Sequence, residues 1–228
     1  MLDLTTSQGR IVSAALRLAG ERPWRDVTLT DIATAANVSL VDLRRDFASK
    51  GEILAAFVRA VDDEVLRQPP ETSGEAARDA LFEVIMRRFD VLAAYKPALK
   101  SIGEVWVPEP AVLRAIAESQ AWMLRAAGLP AEGLEGQTRA AGLATVYASV
   151  YRTWLQDDDP GLARTMAVLD RRLRRGERAL KSIDEAMTRL GGLAGFVLNA
   201  RKRAKPSDEP AASPPEPTPP PASATPTV

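Results

Sequence analysis

Three short stretches near the start of this chain repeat one arrangement, and their spacing limits the fold more than any other feature. Thr28-Leu29-Thr30-Asp31, Ser39-Leu40-Val41-Asp42 and Ser49-Lys50-Gly51-Glu52 each place a hydroxyl residue three positions ahead of a carboxylate. This is the capping box: the hydroxyl oxygen accepts from an orphan N–H of a helix's first turn, and the acid reaches back to the N–H of the cap. The starts lie 11 and 10 residues apart, which leaves room for two short helices, a tight corner and then a third helix. Within the corner, Ala36-Asn37-Val38, Asn37 can take the left-handed conformation that ends a helix. Two short helices joined in this way form a helix-turn-helix, a motif whose second helix can enter the major groove of DNA.

The surrounding apolar residues fit the same geometry. Ile11, Ala14, Ala15 and Leu18 recur at i, i+3, i+4 and i+7 and give a preceding helix an apolar stripe, closed by Pro23 and Trp24. Ile32, Ala33 and Ala36 form the core face of the second helix, and Leu43 and Phe47 anchor the third. Ile53, Leu54, Phe57, Val58, Val61 and Val65 continue one face of a longer helix that Pro69-Pro70 stops.

Val27 to Lys50 resembles the DNA-binding segment of the TetR family of bacterial repressors. The matching positions are Thr28, Asp31, Ile32, Ala33, Ala36, Val38, Ser39, Leu43, Phe47, Ser49 and Lys50, and the likeness spans about residues 7 to 66. Three positions depart from the family pattern. Asn37 replaces the turn glycine, Arg44 stands where a phosphate-contacting Tyr is usual, and Asp46 replaces His or Tyr and brings a negative charge close to the DNA. The resemblance implies an operator-binding homodimer, because one short recognition helix reads too few base pairs alone. It implies DNA contacts from Thr28, Thr30, Ser39, Leu40, Val41, Arg44, Arg45 and Lys50. Of these, Leu40, Val41 and Arg45 would face base edges, and Arg44 and Lys50 would hold phosphates.

Composition narrows the alternatives. The chain has no Cys and no His, which leaves no disulfide or thiol chemistry, no His-based acid–base catalysis and few routes to a metal site. No carboxylate pair or nucleophile has a base partner, so neither an enzyme nor a bound cofactor is expected. No run of 18 apolar residues and no signal-peptide core is seen, so a cytoplasmic protein without a membrane span is expected. The 30 basic and 30 acidic residues cancel, and residues 1–50 hold seven basic side chains against six acidic ones. DNA binding would therefore rest on local placement of positive charge, not on a broad basic field.

From 73 to 200 the pattern is again helical, so an all-α chain of about nine helices is expected: a helix-turn-helix head over 1–66 (motif 28–47), a helical bundle over 73–200 and a tail over 201–228. Pro108-Glu109-Pro110 opens one helix of the bundle and Gly128 closes it. A later helix, from about 162 to 187, carries Arg171, Arg172, Arg174, Arg175 and Arg178, a cluster that reads as a solvated or interface face before a nucleic-acid surface. The tail holds nine Pro in the 23 positions from 206 to 228 and is expected to be disordered. Met86, Trp106, Trp122, Met123, Tyr147, Tyr151 and Trp154 either form plain core or line a cavity for an apolar or aromatic small-molecule effector.

A second resemblance covers Tyr151 to Arg175, which is similar to the last helices of the ubiquinone-biosynthesis lipid-binding family. Trp154, the acidic turn 157–159, Thr165 and Leu169-Asp170 carry it. It implies an apolar or isoprenoid ligand and, as the alternative to a ligand-responsive repressor, a lipid-binding protein without DNA function. The family resemblance also implies that Leu169, Leu173, Leu180, Ile183 and Met187 pair with their symmetry mates in a dimer.

Overall fold

The computed structural model describes residues 3–67, 77–104 and 109–178, all within one compact unit, Met1–Leu180. Its helices are α1 (Ser7–Glu21), α2 (Leu29–Ala36), α3 (Leu40–Asp46), α4 (Lys50–Leu66), α5 (Ala77–Ala93), α6 (Lys96–Gly103), α7 (Pro110–Ala126), α8 (Gly133–Leu155) and α9 (163–178), with a 3₁₀ turn at Trp24–Asp26. Among the described residues there is no strand, and none of their helices is long and apolar enough to cross a membrane. Trp106, the dimer residues Leu180, Ile183 and Met187, the helix expected near 190–200 and the proline-rich tail lie outside the described residues.

In the head, α1 packs against α2, α3 and α4. Ile11, Ala15, Ile32, Leu43 and Ile53 meet in a core that excludes water from all five side chains. The buried face of α1 is wider than a single stripe. Val12, Leu16 and Ala19 are buried as well, whereas Leu18 is only partly covered. The reason is a second neighbour, α6, which lies along α1 so closely that Pro97 and Ala98 flank Gly20.

Helix α4 belongs to both halves. It packs along α7 and against α5, while α7 also packs against α8. One continuous set of buried apolar residues runs from Ile11 in α1 to Leu173 in α9. Its centre in the body is a row of stacked rings: Phe89 lies 5.2 Å from Trp154 and 5.6 Å from Tyr147, and Tyr151 is 6.0 Å from Tyr147 and 5.7 Å from Trp154. Pairs at these offsets add about 0.5–1.5 kcal/mol beyond the area they bury. Leu169 and Leu173 close this core from α9, at 0 % and 7 % exposure. They therefore cannot pair across a dimer axis as expected, because their apolar surface is already spent within the chain.

The acidic turn 157–159 has a local purpose. Asp157 accepts from the backbone N–H of Thr165 at 2.8 Å and from its hydroxyl at 2.6 Å, and Asp159 accepts from the N–H of Ala163. Both carboxylates thus satisfy orphan donors of α9's first turn. The same bonds from Thr165 hold the Asp157 pKa below its ordinary value.

Candidate nucleic-acid interface

Each helix of the motif is started by the hydroxyl that the spacing picked out. At Thr28 the box is complete: its Oγ1 accepts from the N–H of Asp31 at 3.1 Å and its own N–H donates to Asp31 Oδ2 at 2.9 Å. The Thr28 side-chain and backbone bonds, with Arg22 nearby, hold the Asp31 carboxyl below the usual range. Ser39 also accepts from its partner N–H, on Asp42, but its hydroxyl donates to the Asp42 carboxylate at 2.6 Å, so the reciprocal half is a side-chain bond. At Ser49 the acid overshoots: Glu52 accepts from the N–H of Ala48, one residue before the cap.

Between α2 and α3 the chain turns through Asn37, at φ 52 and ψ 49. Its N–H donates to Thr34 and that of Val38 to Ala33, the double closure of a Schellman turn. An asparagine fills the glycine position because its short polar side chain tolerates the left-handed region.

Helix α3 buries only Leu43, with Phe47 covered just beyond it. The opposite face is bare. Leu40 is 51 % and Val41 68 % exposed, and Arg44 and Arg45 stand beside them. Arg45 leans on Asp42 at 3.4 Å in an exposed pair, worth little and easily given up. Arg44 has no hydrogen-bond or ion-pair partner among the described residues. The two acids of the helix are both engaged by hydroxyls, the half-exposed Asp42 by Ser39 and Asp46 by Ser7, each at 2.6 Å. Asp46 thus ties the end of α3 to the start of α1, where the helix dipole favours its charge. Thr28 and Thr30 are exposed at the start of α2.

Lys50 departs from the expectation of a phosphate contact. Its ammonium donates to the carbonyls of Trp24 and Val27, each at 2.7 Å, and lies 4.3 Å over the Trp24 ring. Burial pushes its pKa down, with Glu109 and Asp26 opposing. The lysine closes the 3₁₀ turn onto α4 and is turned onto the protein, whereas Arg44 and Arg45 remain exposed. Beside it, Ser49 donates to Glu109 Oε2 at 2.7 Å. Gly51 permits that approach, since a Cβ there would lie 2.2 Å from the same oxygen.

The residues proposed for an effector cavity do not form one group. Tyr147, Tyr151 and Trp154 come together, but as the stacked row with Phe89. Met123 is core, Met86 is half-buried, and Trp122 is 46 % exposed under Arg125 on the outer side of α7. Trp122 instead borders a cleft of about 550 Å³ between the start of α1, α4 and α7, lined also by Val12, Arg59, Asp62, Asp63 and Glu118. Among the described residues no three carboxylates gather as a metal site requires.

One buried polar cluster carried no sequence signal. Arg88 of α5, 4 % exposed, donates to Asp62 of α4 and to the Tyr147 hydroxyl of α8, and Ser119 of α7 donates to the same Asp62 oxygen at 2.7 Å. Burial alone would lower the Arg88 pKa, but Tyr147 and Asp62 hold it up. Four helices are thus joined by one charge pair and two hydroxyls. Nothing in the local pattern marks Arg88 as different from the exposed arginines, because its partners lie 26 and 59 residues away.

Comparison with known proteins agrees with this architecture. Residues 11–57 match the family described as bacterial regulatory proteins, tetR family, and residues 110–179 match the family described as COQ9. A TetR transcriptional regulator from Nitrosomonas europaea ATCC 19718 superposes with a TM-score of 0.57 at 27% identity, covering 74% of this chain and 96% of that one. A TetR transcriptional regulator from Rhodococcus sp. RHA1 gives 0.54 at 22% identity over 75% and 96%. A tetR-family regulator from Streptomyces coelicolor gives 0.53 at 18% over 90% and 91%. No curated protein matches the chain. The segment 11–57 therefore carries the N-terminal module of the bacterial tetR-family regulatory proteins, on an all-α body of the fold those regulators share.

Proposed function

We propose that this protein is a sequence-specific DNA-binding transcriptional regulator, a cytoplasmic repressor that acts as a homodimer and releases its operator when a small apolar or aromatic effector binds. The observation that carries this reading is the face of α3. Leu40, Val41, Arg44 and Arg45 are exposed together, while both acids of the helix are engaged by hydroxyls of the protein. A helix kept only as scaffold has no need of a bare apolar and basic face. The head over 1–66 binds DNA through Thr28, Thr30, Ser39 and the α3 face. The region 73–200 takes the effector and forms the dimer. An effector must bind the DNA-free form better than the DNA-bound one, since equal affinity shifts nothing.

The test is retardation of DNA from the gene's own upstream region at moderate salt. Retention is expected, and Arg44→Ala should weaken it for all sequences and lower the salt slope by about one unit. A second reading, a TetR-like protein that binds an isoprenoid lipid and no DNA, is favoured by the COQ9 match over 110–179. Lipid that perturbs tryptophan emission, with no DNA retained even at low salt, would establish it.

A further inference from the structure

We infer that the operator half-site of this protein presents thymine methyl groups to Leu40 and Val41, with a guanine one or two steps away for Arg45. This rests on the DNA-binding reading and names what the α3 face would recognise. The two apolar side chains are adjacent at the start of α3 and stand 51 % and 68 % exposed. In the major groove, the C5-methyl of thymine is the one apolar feature that any base pair offers. Pressed instead against the N4 amine of cytosine or the O6 of guanine, these side chains would strip water from polar atoms and return no hydrogen bond.

The rest of the helix agrees. Asp42, the one acid on this face, accepts from Ser39 and from Arg45, so it is not aimed outward at a cytosine amine. Arg45 follows Val41 by one helical turn, about 6 Å along the axis, and B-DNA rises about 3.4 Å per base pair. Val41 and Arg45 are therefore spaced to meet bases one or two steps apart, a methyl for one and the O6 and N7 acceptors of guanine for the other. Arg44, on the side of Leu40, is left for a phosphate.

Selection of duplexes from a random pool by the full-length protein, followed by replacement of each thymine of the enriched sequence with deoxyuridine, tests this directly. Deoxyuridine keeps every hydrogen bond of thymine and removes only the methyl. Binding should weaken about fourfold at each contacted position, the worth of one buried methyl. Leu40→Ala and Val41→Ala should each erase the thymine–deoxyuridine difference at the position its side chain contacts, and the double variant should erase it at every position. Both side chains are exposed, so neither change threatens the fold. An enriched sequence whose thymines can all be replaced without loss would overturn the inference and leave the DNA-binding reading intact. So would a methyl preference that persists undiminished in the double variant. Failure to retain any duplex would remove both.

Discussion

Helices α2 to α4 each start on a side chain within three residues of the N–H it satisfies, whereas α5 to α8 are held together by partners distant in the chain. In the head, Thr28, Ser39 and Ser49 mark where three helices begin through bonds to residues three positions on. In the body, Glu109 and Tyr95 precede their helices without any side-chain cap. Order there comes from the stacked rings and from Arg88, whose bonds reach α4 and α8. The difference fits two tasks. A recognition helix has to hold its place while most of its surface stays bare, so local caps must carry it. The helices of the body are tied to one another by side chains distant in the chain, on top of the apolar core they share.

The contrast is most exposed at Arg88. Replacing it with Met leaves Asp62 buried with only Ser119 as partner, a loss of about 3–5 kcal/mol in urea unfolding. Pairing that change with Asp62→Leu should return much of the loss, since no charge is then stranded. A single-variant cost below about 1 kcal/mol would mean that solvent reaches this cluster, and that the body does not depend on it.

The matching change in the head is smaller. Thr28→Ala removes a complete capping box but leaves Asp31 in water, paired with Arg22 at 2.8 Å. The expected loss is about 1 kcal/mol, read from thermal unfolding. A loss as large as that at Arg88 would erase the distinction between locally and distantly held helices.

Asp157 joins the two modes, being a cap of α9 that follows Trp154 of the stacked row by three residues. Its pKa is lowered in the folded state, chiefly by the Thr165 hydroxyl. The stability it contributes is therefore present above the unfolded carboxylate value near 3.8 and is lost as pH falls through the lower folded value. Asp157→Asn should unfold with a flatter acid limb than the parent and match its pH dependence near neutrality. Identical acid limbs would show that the carboxylate is not what holds the start of α9.

How much of this could be read from the sequence follows the same division. The starts at Thr28, Ser39 and Ser49, the left-handed Asn37 and the opening of α7 at Pro110 were legible, because each depends on neighbours within four residues. The exposed face of α3 was legible too, from the positions of Leu43 and Phe47. Lys50 was not, because the carbonyls that hold it belong to a turn more than 20 residues earlier. Nor were the burial of Leu169 and Leu173 or the outward placement of Trp122, since an amphipathic pattern gives a helix its apolar side without saying whether a partner within the chain covers it.

The smallest effect is expected at the turn that sets α3 against α2. Asn37 sits at φ 52, a region that costs an ordinary side chain about 1–2 kcal/mol and an asparagine less. Asn37→Gly would remove that strain, but glycine also gains freedom in the unfolded chain, worth about 0.5–1 kcal/mol in the opposite direction. The two terms nearly cancel, so unfolding free energy should move by no more than about 0.5 kcal/mol, with DNA retention unchanged. Asn37→Ala keeps the strain, lacks the side chain that eases it, and should lose more than the glycine variant. The Asn37 side chain is exposed and makes no hydrogen bond among the described residues. A glycine variant that loses more than about 1 kcal/mol would therefore mean that this amide holds the turn through water, and that backbone tolerance alone does not account for its presence.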